Sequence, residues 1–232
     1  MNSSEDAIVA RAEAADPLLR RAAILTARLG IVQAILMLVS VWLLAYLPQP
    51  TSSDAALVAF YESADRRLVV LVGLYLMPFS AIAFLWFAVA LRMWAERSTA
   101  KLDVLLSNVQ LCSAIVFISL LLAGAAASTV PAITMELSTA PFDPTTARQF
   151  PQFGSSLLVV LSMRLAAMFV FTTSNITRRH GLLPRWFALT GFAVGLFLLL
   201  SASLNPFLVL VFPAWVLALS VLLLLRARQL PV

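Results

Sequence analysis

The apolar positions of this chain fall in long unbroken blocks. They show neither the period of two of a half-buried strand nor the one-sided stripe of a soluble helix. Blocks near 24–47, 68–91, 104–127, 155–177, 184–203 and 206–225 each reach the roughly 20 residues a helix needs to cross the hydrocarbon of a bilayer. Lipid offers no partners to backbone polar groups, so a segment of that length has to satisfy its own as a helix. The pattern predicts an all-α fold, a six-helix transmembrane bundle. Trp42 and Tyr46 stand where an interfacial aromatic belt belongs, and Pro48 and Pro50 close the first block behind them.

Two connections carry a pattern of their own. From Ser53-Asp54, Ala55, Leu57, Val58, Phe60 and Tyr61 alternate with Asp54, Glu62 and Asp65, which predicts a short amphipathic helix on the outer surface over 54–66. Residues 129–154 form a long outer loop punctuated by Pro131, Pro141, Pro144 and Pro151, with Asp143-Pro144 as a start signal for a short helix. Together they make a lid over the outer end of the bundle. Inside the second block, Pro78 frees the carbonyl of Leu74 and predicts a bend. The small residues Ala123-Gly124-Ala125-Ala126-Ala127 and the pair Gly191 and Gly195 predict close helix–helix contacts, and Leu204-Asn205-Pro206 predicts a tight hairpin between the last two blocks. Asp16-Pro17 reads as a helix cap with a first-turn proline. The chain then divides into a short cytoplasmic arm over 1–16, one transmembrane domain over 17–228 and a tail over 229–232.

Composition sharpens this picture. Hydrophobic residues make up 62% of the chain and charged ones 12%, against about 45–50% and 25% in a soluble domain, so lipid must cover the surplus. The net charge of +5 suggests nucleic acid until the positions are read. Arg20, Arg21 and Arg28 open the first block, Arg92, Arg97 and Lys101 join blocks two and three, Arg178, Arg179 and Arg185 join four and five, and Arg226 and Arg228 follow the last. The alternate connections hold only Arg66, Arg67 and Arg148, among acids. This is the positive-inside pattern; it places both termini in the cytoplasm and excludes a nucleic-acid face. Glu5, Asp6, Glu13 and Asp16 in the opening segment argue against a secretory signal there.

One charge breaks the apolar pattern. Arg164 lies roughly ten residues into the fourth block, and a guanidinium at that depth needs a partner. Candidates are the freed Leu74 carbonyl, the hydroxyls of Ser40, Ser80 and Ser119 at similar depth, and an acidic residue of the outer loops. The alternative is an anion site in which Arg164 grips a lipid phosphate or a carboxylate. Arg178, Arg179 and Arg185, beside Trp186, are candidates for lipid headgroups, though such clusters also simply set topology. No block contains an Asp or Glu in its core, which disfavours proton- or sodium-coupled transport. His180 and Cys112 are the single histidine and single cysteine. Serine nucleophile, Walker and Rossmann motifs do not occur, so neither a metal, a cofactor nor enzymatic chemistry is expected.

Phe60–Leu68 (FYESADRRL), Phe84–Arg92 (FLWFAVALR) and Thr177–Phe192 (TRRHGLLPRWFALTGF) resemble a group of uncharacterised multi-pass membrane proteins of actinobacteria. The resemblance implies a bacterial inner-membrane location and a six-span layout, and no activity. The expected function is non-enzymatic: binding a lipid or an apolar or anionic amphipathic ligand, or serving as accessory subunit of a membrane complex. Membrane lipids are the expected partners, with a membrane protein or a second copy as further candidates. The alternative is a small-solute uniporter, channel or exporter, which Pro78 and the polar face of Ser107, Asn108 and Gln110 favour.

Overall fold

The computed structural model describes residues 3–49, 51–95, 101–139, 141–179, 183–201 and 206–229; His180, residues 204–205 of the expected hairpin turn and the tail beyond 229 lie outside them. Helix α1 (Ser3–Leu44) is followed by a short α2 (Asp54–Glu62). Then α3 (Asp65–Leu71) runs through a π-helical turn, Val72–Leu76, into α4 (Met77–Ala95). Helix α5 (Lys101–Leu137) leads to α6 (Pro144–Ser155), which continues through a second π-helical turn, Ser156–Leu161, into α7 (Ser162–Arg179). The chain ends in α8 (Arg185–Leu200), a 3-10 turn at Pro206–Leu210, and α9 (Val211–Gln229).

This is an all-α, multi-pass membrane bundle. Among the described residues, five stretches are long and apolar enough to cross a bilayer: Arg21–Leu44, Asp65–Met93, Asp103–Leu137, Pro144–Arg179 and Phe207–Ala227. Helix α8 is as apolar but has 16 residues, about 24 Å at 1.5 Å per residue, short of the roughly 30 Å hydrocarbon. The helices neighbour one another in a ring: α1 packs on α4 and α9, α5 on α4 and α7, and α8 on α7 and α9. Phenylalanines fill its centre. Phe84 of α4 meets Phe117, Phe169 and Phe212 of three other helices with ring centroids 5.0–5.6 Å apart, all of them fully buried. Edge-to-face pairs of this kind add to area burial. Phe87 is buried beside them, while Tyr75, Phe79 and Trp86 of the same segment face outward.

The backbone before Pro78 departs from the α-helical bond pattern. The π-helical turn lies immediately before it, and the Met77 amide reaches back to the Val72 carbonyl, five residues away. The second π turn has no proline of its own. There the Ser162 amide bonds Leu157, and the Ser162 hydroxyl donates to the Leu158 carbonyl at 2.5 Å, supplying the bond the amide gave up.

Three expected boundaries are corrected. Helix α1 begins at Ser3 rather than at Asp16-Pro17, so the expected arm is helical. Alanines recur through that segment, and Pro17 removes a single backbone bond. The long outer loop over 129–154 is also largely helical. Helix α5 passes through Pro131 to Leu137, and α6 occupies 144–155, leaving a short connection at 138–143. The Thr129 hydroxyl donates to the carbonyls of Ala125 and Ala126, and Ala132 is fully buried, so local bonds and packing outweigh the proline. The surface helix stops at Glu62, where the Ser63 amide and hydroxyl both return to the Phe60 carbonyl.

Candidate functional site

The lid is a second, smaller core. Leu57 and Tyr61 of α2 pack with Val69, with Ala132 of α5 and with Ala147 of α6, and the Phe142 ring meets Tyr61 at a tilt, centroids 5.4 Å apart. Burial pushes the Tyr61 phenol up to about 12, so it stays neutral. Asp143 caps α6, accepting from the Thr145 and Thr146 amides at 3.0 Å each and from the Thr146 hydroxyl; these bonds hold its carboxyl below the ordinary value. Ion pairs tie the pieces together. Arg66 reaches Glu136 at 2.7 Å and Arg148 reaches Asp54 at 2.6 Å. Four of the charges outside the basic connections, Asp54, Arg66, Glu136 and Arg148, are thus used in pinning the lid.

Below this lid is a cavity of about 360 Å³, at the low end of ligand pockets. Its walls come from the end of α1 (Val41, Leu44), from Leu57 of the lid, from Leu158 and Val159 of the π turn, and from Val209. Gln49, Arg148, Gln152 and Ser155 add polar groups to this apolar lining. Ser128 also lines it; the residue is buried and its hydroxyl has no hydrogen-bond partner among the described residues. The helices behind Ser128 touch backbone to backbone. A Cβ on Gly154 would lie 2.5 Å from the Gly124 carbonyl and 2.6 Å from the Ser128 amide. The small-residue end of the third block makes its close contact here, with α6 and the π turn.

The expected group around Arg164 is not brought together by any hydrogen bond among the described residues. Arg164 is half-buried on a stripe of α7 between exposed Leu161 and Met168, and its Nη1 donates to the Val160 carbonyl at 2.5 Å. Side chains on a helix lean toward its N-terminus, here the lid end, so the guanidinium snorkels outward. No described carboxylate lies within ion-pair distance of it. Ser40 is buried and donates to Leu36; Ser80 is buried and donates to Gln33 on the neighbouring α1; Ser119 is exposed and donates to Ile115.

At the opposite end, Arg178 lies over the Phe192 ring at 5.5 Å, Arg179 is 3.9 Å from Asp103, and Arg185 is exposed at the start of α8. A polar seam runs inward from there. Gln110 of α5 donates to Thr173 of α7 at 2.7 Å, beside buried Ser107, Ser113 and Thr177. It ends at the phenylalanine cluster. Gly191 and Gly195 give α8 its close approach to Ser174 and Phe171 of α7, so the glycine pair serves packing within the bundle. Among the described residues no group of three His, Cys, Asp or Glu could hold a metal ion.

The sequence pointed to the lid but not to the residues beneath it. Ser128 falls between the third block and the expected loop and Gly154 closes that loop, and neither carries a motif. Against family models, curated proteins and solved structures the chain has no match, so the actinobacterial resemblance rests on the quoted segments alone.

Proposed function

We propose that this protein is a non-enzymatic membrane bundle that holds a lipid-class ligand, apolar or amphipathic, in the cavity beneath its lid. The observation that carries the reading is the cavity itself, with an apolar wall, a few polar groups and a buried hydroxyl lacking a partner. In this reading α8 completes a sixth crossing. The basic connections then lie in the cytoplasm with both termini, and the lid faces outward in a bacterial inner membrane. The phenylalanine cluster favours binding over passage, because it fills the axis on which a solute path would run.

The test is gentle extraction from the native membrane, native mass spectrometry and identification of bound lipid, for the wild type and for Ala45→Trp. Ala45 lines the cavity and is itself exposed, so an indole there blocks the space without disturbing the core. The expected result is a stoichiometric lipid on the wild type that Ala45→Trp loses. Wild type free of lipid, or both proteins carrying the same lipid, would sink the reading.

A further inference from the structure

The cavity is lopsided in charge. Among the described residues Arg148 is the one charged residue that lines it, and no carboxylate does. Arg148, Gln152 and Ser155 stand at i, i+4 and i+7 of α6, so they share one polar stripe of that helix on the cavity. The contacts of Arg148 leave from Nη2, to the Ser52 carbonyl and to Asp54, each at 2.6 Å. A guanidinium has five N–H donors, so Nη1 and Nε keep three that no described acceptor takes. Asp54 stands outside the lining with its side chain 66% exposed, against 32% for Arg148. Water therefore screens the acid more than the base.

We infer that the occupant is a single-chain amphiphile with an anionic oxygen head, a carboxylate or a phosphate monoester, held by Arg148. This rests on the cavity being a ligand site. The acyl chain lies on Val41, Leu158, Val159 and Val209, and a cavity of about 360 Å³ suits one chain rather than two. The head oxygens accept from the spare guanidinium N–H groups, with the Gln152 amide and Ser155 hydroxyl as further donors on the same stripe. Charge selects the head. An anion bonded to Nη1 or Nε stands about 4 Å from the guanidinium centre and about 6 Å from the Asp54 carboxylate, so attraction exceeds repulsion. In a partly wet site that difference favours an anionic over an uncharged head by about three- to tenfold. An uncharged ester keeps the hydrogen bonds without the charge that strengthens them. Arg164, which the sequence singles out for an anion, does not line the cavity.

The full-length protein in neutral detergent is titrated with probes of one acyl chain: palmitate at alkaline pH, the phosphate monoester of monopalmitoylglycerol, and uncharged monopalmitoylglycerol. The wild type is expected to bind an anionic probe about three- to tenfold more tightly than the uncharged one, with the gap narrowing as salt is raised. Which anion binds more tightly separates a carboxylate head from a phosphate. Arg148→Gln is expected to abolish the gap. Asp54→Asn breaks the same ion pair but keeps the cation, and is expected to widen it. Opposite responses from two variants that both unpin the lid exclude a simple loosening of the fold, and the salt series with Asp54→Asn decides the matter if Arg148→Gln does not fold. Ala45→Trp is expected to lose every probe. Equal binding of charged and uncharged probes, a preference for the uncharged ester, a gap that survives Arg148→Gln, or anion binding untouched by Ala45→Trp would overturn the assignment. Uncharged ester bound best and lost in Ala45→Trp would overturn the anionic head and leave the cavity reading standing. Binding of no probe would overturn the assignment too, and the native extraction would still decide whether the cavity holds another lipid.

Discussion

Arg164 shows how one residue's meaning depends on the face it occupies. Sequence gives its depth along the block but not its azimuth, because apolar residues surround the helix on all sides and no stripe marks the interior. The structure turns it to the half-exposed stripe of α7, with its head on the Val160 carbonyl. Arg164→Leu is therefore expected to leave the melting temperature in detergent unchanged or slightly raised, since an arginine near bilayer depth costs about 2.5–3.5 kcal/mol on insertion scales. A large fall would place a partner inside the bundle instead. Gly154 is the opposite case, silent in sequence and tightly constrained in space. Gly154→Ala drives a Cβ into two backbone atoms of α5 and is expected to destabilise by about 1–3 kcal/mol, as overpacked contacts do. Thermal unfolding that matches the wild type would contradict this contact.

Element boundaries were legible where a cap states them and illegible where a proline hides them. Ser53 and Asp143 both start helices as expected, each accepting from amides of the first turn. Pro131 looks like a breaker and Asp16-Pro17 like a helix start, yet both prolines sit inside a helix, each at the cost of one backbone bond among good helix formers. The break after Glu62 was missed because the amphipathic pattern continues to Asp65 while the chain turns at Ser63. The Asp143 cap carries a pH dependence. Its carboxyl sits below its ordinary 3.8 in the folded protein, so the cap's contribution is complete above that value and fades as pH falls through the lower folded value. Hydrogen exchange at Thr145 and Thr146 should stay slow from neutral pH down to about 4 and show lost protection only below. Loss of protection at pH 5–6 would contradict the assignment.

At the scale of the molecule, long apolar blocks dictate a helical bundle in lipid, and that much follows from composition and length. The pairing of helices does not, since lipid-facing and core-facing positions are equally apolar; which aromatics point inward was settled by the ring around Phe84. The same ring separates the cavity under the lid from the polar seam at the arginine-rich end, and makes the lid end the place for a ligand. The central claim is that a lipid-class molecule sits in this cavity. The most direct measurement is photocrosslinking in native membranes with a fatty-acyl probe bearing a mid-chain diazirine, followed by peptide mapping. Adducts should concentrate on the cavity segments Val41–Gln49 and Leu158–Val159 and disappear in Ala45→Trp. Adducts spread over outward-facing residues such as Phe79 and Trp86, unchanged by that substitution, would show that the chain meets lipid only as solvent.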